Sequence, residues 1–336
     1  MAKRSVLIIG CGSIGERHLR CFQQTGRAEP TACDVNPALL QKMAETYKVP
    51  TLTDWEKAVD SGKFELVVIC APAQFHIPMS IRALRAGCHV LCEKPLAVTV
   101  KGVEDLIRAR NETGKQIAIA YTLHSMPFLA QARDFIRQGT LGPILQATSL
   151  AGQAFHLFRP AYAKVYYRSH SSGGGAIQDA LTHTANWVES VVGPADSLIC
   201  DCAHLSLADV DVEDTVHIAA RHGKVMVSYA LNQFQMPNES TIMFNTAVGS
   251  VKIELHNQRW GVLNKFGGEW EWHEAPVAHR DNHYIAQANA FLDQLDGKPS
   301  SLCSVEAAAQ TLRFNLAALA SAKANGSRIF CRDIHE

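Results

Sequence analysis

Along the first 121 residues two periods alternate. Residues 5–9, 30–33, 66–70, 89–92 and 117–121 are short apolar runs. The run Leu-Val-Val-Ile-Cys at 66–70 carries no polar side chain, as a strand buried on both faces requires. Between these runs, residues 15–25, 37–47, 77–86 and 100–113 show helical spacing, and Gly87 stops the third of them. Strand and helix in strict alternation predict a doubly wound parallel sheet.

After Pro127 the texture changes. Residues 128–138 still form a helical pattern, and long alternating strands with hairpin signals follow. Residues 215–221 and 224–233 flank His222-Gly223, residues 241–245 and 250–255 flank Val248-Gly249, and residues 262–265 and 269–273 flank Gly267-Gly268. The pattern predicts an antiparallel meander. Helices over 284–295 and 304–325 close the chain, with Gly297 and Gly326 as stops. The expected architecture is an α/β domain over residues 1–122, followed by an α+β domain over residues 123–336 with a large, mostly antiparallel open sheet.

Composition agrees with two globular domains. The chain has 336 residues, of which 47% are hydrophobic and 19% charged, outside the disordered range. Thirty-two Lys and Arg balance thirty-two Asp and Glu, and no run of five basic residues occurs, so no bulk field draws nucleic acid or acidic lipid. Apolar runs stay far below the ~18 residues of a membrane span. The start, Lys3-Arg4 before Val6-Leu7-Ile8-Ile9, imitates a signal peptide, but the run ends at Gly10 and Glu16-Arg17 follow, so a cytoplasmic location is expected. Ten cysteines are irregularly spaced without Cys-x-x-Cys. Cys200 and Cys202 share one face of a strand but lack two further ligands, so reduced, buried thiols and no metal are expected. Asp209, Asp211, Glu213 and Asp214 are acids at a strand mouth, expected in solvent. Trp260, Trp270 and Trp272 are expected to pack within the sheet rather than to form a sugar platform.

The chemistry begins at the first turn. Gly10-Cys11-Gly12-Ser13-Ile14-Gly15 is a G-x-G-x-x-G that follows a strand and opens a helix at the head of a βαβ unit. Gly10 permits the tight turn, Gly12 lets backbone approach a pyrophosphate, and Gly15 lets helix and strand pack closely, with the N–H groups near Ser13 and Ile14 facing the phosphates. Asp34 stands nineteen residues past Gly15, where a Rossmann domain places the acid that accepts from the ribose hydroxyls. Its carboxylate repels a 2′-phosphate and Val35-Asn36 supply no cation, so NAD is favoured over NADP. A simpler role for Asp34, capping the turn before Pro37, stays open.

Three further segments point to a family. Ala71-Pro72-Ala73-Gln74-Phe75-His76 follows one strand, and Glu93-Lys94-Pro95-Leu96 follows the next. Gly173-Gly174-Gly175-Ala176-Ile177-Gln178-Asp179, with His183, comes later. Behind the glycine turn these resemble the glucose–fructose oxidoreductase, inositol dehydrogenase and rhizopine-catabolism (Gfo/Idh/MocA) family, over most of the chain and in the same order. The resemblance implies a pyridine-nucleotide oxidoreductase acting on cyclic polyols, sugars or their derivatives. It implies Lys94, Asp179 and His183 as catalytic residues. It adds Ala71, Pro72, Gln74, His76, Glu93 and Lys94 to the cofactor-binding set, and a homodimer or homotetramer joined through the C-terminal sheet. The chemistry is consistent: a histidine takes a hydroxyl proton near neutral pH, and an ammonium steadies the developing alkoxide. Tyr121, His124, Arg168 and Asn186 are candidate substrate residues, as Tyr166 and Tyr167 are beside the glycine loop. That loop is expected to let the chain approach the ligand. The family often has Asn where Gln74 stands, Arg where His124 stands and Asp where Asn186 stands. Two other readings stay open: an NAD-dependent glycosidase with transient internal oxidation, and a non-enzymatic nucleotide-binding regulator.

Overall fold

The computed structural model describes residues 3–164, 166–276 and 278–335. In chain order its first elements are β1 (Arg4–Ile9), α1 (Ser13–Gln24), β2 (Ala28–Cys33), α2 (Pro37–Tyr47), β3 (Thr51–Leu52), α3 (Trp55–Asp60), β4 (Leu66–Ile69), α4 (His76–Arg85), β5 (His89–Cys92), α5 (Val103–Thr113) and β6 (Ile117–Ile119). There follow α6 (Pro127–Arg137), β7 (Gln146–Ala154), α7 (Phe155–Phe158), α8 (Thr182–Val192), β8 (Ser197–Ala203), β9 (Thr215–His222), β10 (Val225–Asn232), β11 (Phe234–Asn245), β12 (Ser250–Glu254), β13 (Arg259–Leu263) and β14 (Glu271–Glu274). The chain closes with α9 (Arg280–Leu295), α10 (Val305–Lys323) and β15 (Ile329–Phe330).

Contacts divide the chain into two units. The first comprises Met1–Ala97, Lys101–Ser125 and Ala278–Ala309, and the second Val98–Val100, Met126–Val277 and Gln310–Glu336. Six parallel strands in the order β3-β2-β1-β4-β5-β6 form the first unit's sheet. The order reverses between β1 and β4, which makes the carboxyl ends of these two strands the crevice of the sheet. Residues Val6, Leu7 and Ile8 of β1 and all four residues of β4 have no exposed surface, which explains their uninterrupted apolar character.

A single cut near residue 122 does not describe this unit. Helix α9 returns to it, and Ala288, Phe291 and Leu292 join the core built from Val6, Ile8, Leu19 and Phe22. Burial of these side chains is the driving term, and ion pairs add register along the helix. The Asp281 carboxylate accepts from Arg17 Nε at 3.1 Å and from Arg20 Nε at 2.6 Å, while Arg27 pairs with Asp293 and Asp296.

The second unit holds a nine-stranded sheet in the order β14-β13-β12-β11-β7-β10-β9-β8-β15. It is mostly antiparallel, as expected, but it is not a plain meander. Strand β7 lies between β10 and β11, parallel to the former and antiparallel to the latter. The β9–β10 loop is Gly223-Lys224, one residue later than the sequence pattern suggests, because His222 pairs with Val225 as the last rung and Gly223 takes φ +58°. Trp260 is buried and stacks on His273 at 4.1 Å, so this ring packs within the sheet, whereas Trp270 and Trp272 are half-exposed, 5.7 Å apart, with Arg259 4.0 Å from the Trp272 ring. All ten cysteines are thiols. No described helix is long and apolar enough to cross a membrane, and no cluster of three or more potential metal ligands occurs among the described residues.

The docking of α9 generates a stability prediction. Phe291→Ala removes a fully buried ring from the first unit's core and should destabilise that unit by about 3–5 kcal/mol. Urea unfolding checks this, and a loss below about 1 kcal/mol would contradict the assignment of α9 to this core.

Candidate active site

In the first unit the glycine turn bridges β1 and α1. Gly10 has φ +88°, and a Cβ there would stand 2.7 Å from the Cys70 carbonyl oxygen at the end of β4. A Cβ on Gly15 would stand 1.7 Å from the Gly10 carbonyl oxygen, so only glycine lets the helix start this close to the turn. A Cβ on Gly12 would meet nothing within 4 Å. The turn is therefore tight toward the protein and open above Gly12, where the first-turn N–H groups of α1, including those of Ser13 and Ile14, favour an anion. This cradle fits a dinucleotide's pyrophosphate. Asp34 directly follows β2; its Oδ2 accepts from Cys11 N at 2.6 Å and its Oδ1 from Asn36 N at 2.8 Å. The carboxylate thus supports the turn before α2 and is fixed beside the glycine loop. Val35 is 83% exposed.

The loops after β4 and β5 complete this side. Pro72 and Gln74 are exposed, and Ala71 is half-buried. His76 is buried, and its ring bridges the two loops, with Nδ1 at 2.8 Å from the Pro95 carbonyl and Nε2 at 2.8 Å from that of Ala71. A neutral ring donates to only one of them. Burial lowers its pKa despite the carbonyls, which act the other way. Glu93 turns inward: Oε1 accepts from His18 Nε2 at 2.8 Å and Oε2 from Lys94 N at 3.0 Å. Burial alone would raise this carboxyl; the hydrogen bond and charge of His18, with the charge and N–H of Lys94, outweigh it and hold it below its usual range. Glu93 thus ties the Lys94 loop to α1. Lys94 is half-buried, and its peptide bond to Pro95 is cis. Tyr121 is buried at the end of β6, and His124 is buried on the 3₁₀ turn Thr122–Ser125 that follows.

In the second unit Asp179 lies on a π-helical turn, Ala176–Leu181, that runs directly into α8. His183 is the second residue of α8, and both side chains are half-exposed. The i, i+4 pair therefore sits on a widened turn rather than on a regular α-helix, a distortion frequent at functional sites. The Tyr166 hydroxyl donates to Asp179 Oδ1 at 2.7 Å. Arg168 is exposed on the same 3₁₀ turn as Tyr166. Asn186 is buried, and its Nδ2 donates to Thr311 Oγ1 on α10 at 2.9 Å, a bond that directs the amide at α10.

Two expectations are corrected here. The glycine loop approaches its own protein: a Cβ on Gly174 would lie 2.1 Å from the Tyr167 carbonyl oxygen, and one on Gly175 2.7 Å from both oxygens of Glu213. The acids before β9 are not all in solvent. Asp209 and Asp211 are exposed, but Glu213 and Asp214 are buried. Glu213 Oε1 accepts from Ile177 N at 2.8 Å and Oε2 from His170 Nε2 at 2.5 Å, and this bond raises the His170 pKa. Asp214 accepts from the N–H groups of Leu205, Ser206 and Leu207 at 3.0, 2.7 and 2.9 Å. A signal for Asp214 was present: it alternates in phase with the buried Val210 and Val212. Nothing local marks Glu213 or His170.

A sheet with a pyrophosphate cradle at its switch point, and an α+β unit presenting an Asp/His pair on a widened turn, define a class of dinucleotide-dependent oxidoreductases. The oxidoreductase family with an NAD-binding Rossmann fold matches residues 4–121, and the GFO/IDH/MocA C-terminal domain matches residues 129–256. The chain belongs to the Gfo/Idh/MocA oxidoreductase family, whose named relatives are sugar and inositol dehydrogenases. It is 26% identical over 326 residues to D-glucoside 3-dehydrogenase of Escherichia coli K12, covering 90% of each chain. It is 31% identical over 140 residues to inositol 2-dehydrogenase/D-chiro-inositol 3-dehydrogenase of Lactiplantibacillus plantarum, covering 40% of each. Its fold is similar to that of levoglucosan dehydrogenase in complex with NADH and levoglucosan, with a TM-score of 0.87 at 20% identity over 98% of this chain and 99% of that one.

The helix that carries His183 contains its own pH-sensitive group. Glu189 on α8 is buried, bonded to Thr311 Oγ1, Gln310 Nε2 and Ala195 N, and burial raises its carboxyl to about 7. A raised acid favours the protonated native state. Its stabilisation is complete below the usual value of 4.5 and is lost as pH rises toward 7, in total on the order of 3 kcal/mol. Glu189→Gln should flatten the fall in unfolding midpoint between pH 5 and 8. Parallel wild-type and variant curves would show that Glu189 does not titrate in this window.

Proposed function

We propose that the protein is an NAD-dependent dehydrogenase that oxidises a secondary hydroxyl of a cyclic polyol, sugar or sugar derivative. The observation that carries this reading is the half-exposed Asp179–His183 pair on its widened turn, in a chain that matches both domains of the family. Similarity to D-glucoside 3-dehydrogenase along nine-tenths of both chains supports the substrate class. NAD, when bound, supplies the hydride acceptor. The α1 N-terminus at Gly12, Ser13 and Ile14 would hold its pyrophosphate and Asp34 its ribose hydroxyls. His183 takes the hydroxyl proton, Asp179 orients imidazole and substrate, and the Lys94 ammonium steadies the alkoxide character as carbon loses hydride.

His183→Ala and Lys94→Ala should each lower turnover by on the order of 10²–10⁴ with a smaller change in nucleotide affinity. The assay is NADH formation with a panel of a D-glucoside, levoglucosan and inositols, followed by nucleotide titration of the variants. Near-normal turnover in His183→Ala would remove the mechanism. Stoichiometric NADH release separates this reading from a glycosidase, which would restore its NAD in every cycle, and from a regulator, which would turn nothing over.

Asp34, fixed by two backbone N–H groups and followed by an exposed valine, supports a cofactor preference. NAD should bind at least about tenfold tighter than NADP, because a 2′-phosphate meets a carboxylate. Equal affinities in a fluorescence titration would sink the role given to Asp34.

The open sheet face supports an assembly through the second unit. Ile199, Ala219, Ser228, Thr148 and Met243 are successive cross-strand partners, and Leu150 stands beside them at 55% exposure. This small and apolar surface suits packing against a second copy. Light scattering at micromolar concentration should give a dimer or tetramer, and Ser228→Arg should shift it to monomer. A monomeric wild type would contradict this.

A further inference from the structure

Residues 166–172 fold back over the start of the turn that carries Asp179. The Tyr166 hydroxyl reaches Asp179 Oδ1 at 2.7 Å, and the Tyr166 carbonyl accepts from Ser172 Oγ at 2.6 Å. His170 Nε2 donates to Glu213, whose other oxygen holds Ile177 N, two residues before Asp179. The His170 carbonyl accepts from Gln178 Nε2 at 3.2 Å, and Gly174 N donates to the Ser169 carbonyl at 2.9 Å. The neighbouring Tyr167 is buried, with its ring 4.5 Å from that of Phe155 and 6.1 Å from that of Tyr162. The backbone carrying the phenol is therefore fixed from both sides, and the segment carrying the carboxylate is fixed to the same residues.

We propose that Tyr166 is a positioning residue for the reaction, its hydroxyl holding one oxygen of Asp179 so that the carboxylate keeps one orientation toward His183 and the substrate. The inference rests on the catalytic reading of Asp179 given above. A half-exposed carboxylate has several accessible rotamers, and a charge-assisted hydrogen bond from a rigid phenol selects one of them. A phenol has only two side-chain torsions, and the ring here sits on a strapped backbone, so little ordering remains for the substrate to impose. Aspartate in one rotamer leaves Oδ2 in a defined place, which is what orienting an imidazole or a hydroxyl requires. The glycine loop and the His170–Glu213 pair act on the backbone of the segment that carries Asp179.

Tyr166→Phe tests this, because it keeps the ring and removes only the hydroxyl. Steady-state kinetics would use NAD and whichever of the D-glucoside, levoglucosan and inositol panel wild type turns over fastest, and wild type and variant would be crystallised under one condition. We expect kcat to fall by about 5- to 50-fold, with the KM for NAD within about twofold of wild type, and the Asp179 carboxylate to leave its wild-type rotamer. A merely structural tyrosine would move both parameters or neither. The proposal is overturned if kcat is retained within about twofold, or if Asp179 keeps its rotamer in the variant crystal. The crystal comparison decides the matter without any substrate. Asp179→Asn, assayed alongside, separates the two failures: wild-type turnover in that variant would refute the catalytic reading of Asp179, whereas its loss together with an unaffected Tyr166→Phe would refute only the role of the tyrosine.

Discussion

A carboxylate removed from water must be given hydrogen-bond donors by the protein around it, and in this chain that requirement organises several loops, among them those that carry candidate site residues. Glu93 takes an imidazole and the N–H of Lys94. Glu213 takes an imidazole and the N–H of Ile177. Asp214 takes three successive N–H groups, and Glu189 takes a hydroxyl and an N–H. Glu93 and Glu213 thereby fix backbone at or shortly before residues of the candidate active site, while Asp214 and Glu189 anchor other segments of the second unit. Loops otherwise have few means of holding a side chain within a fraction of an ångström, and a buried acid with several donors is a stiff one because leaving any donor unmade is expensive.

The same requirement explains the glycines. At Gly175 the missing Cβ is the space that the Glu213 carboxylate fills. At Gly15 the space is taken by the carbonyl of Gly10, and the outcome is a helix start close enough to the sheet for its N–H groups to serve an anion. Two glycine-rich segments that look alike in sequence thus do different work: the first opens toward a ligand above Gly12, and the second closes on the protein's own acid.

How much of this was legible in the sequence follows from range. The parallel sheet, the glycine turn and Asp34 were readable because each rests on residues within about twenty positions, and their periods and spacings are local. Lys94, Asp179 and His183 were singled out by resemblance, with chemistry in agreement. The insertion of β7 between β10 and β11 was not readable, because those two strands are neighbours in sequence and the alternating pattern of β7 does not say where it pairs. The return of α9 to the first core was hidden for a similar reason: an amphipathic helix shows that it packs, not against what. Nothing local distinguishes Glu213 from the exposed Asp211; only the arrival of His170 and Ile177, 43 and 36 residues upstream, makes it a buried anchor.

If buried acids hold the catalytic loops, removing one must loosen the segment it serves and leave the other unit intact. Amide hydrogen exchange of Glu213→Ala against wild type measures this directly. The account predicts that protection over residues 177–183 falls by about tenfold or more, the equivalent of one lost charge-assisted hydrogen bond, while the amides of β1, β4 and β5 keep theirs. Unchanged protection over residues 177–183 would show that the turn bearing Asp179 and His183 stands without Glu213, and would contradict the account at its centre.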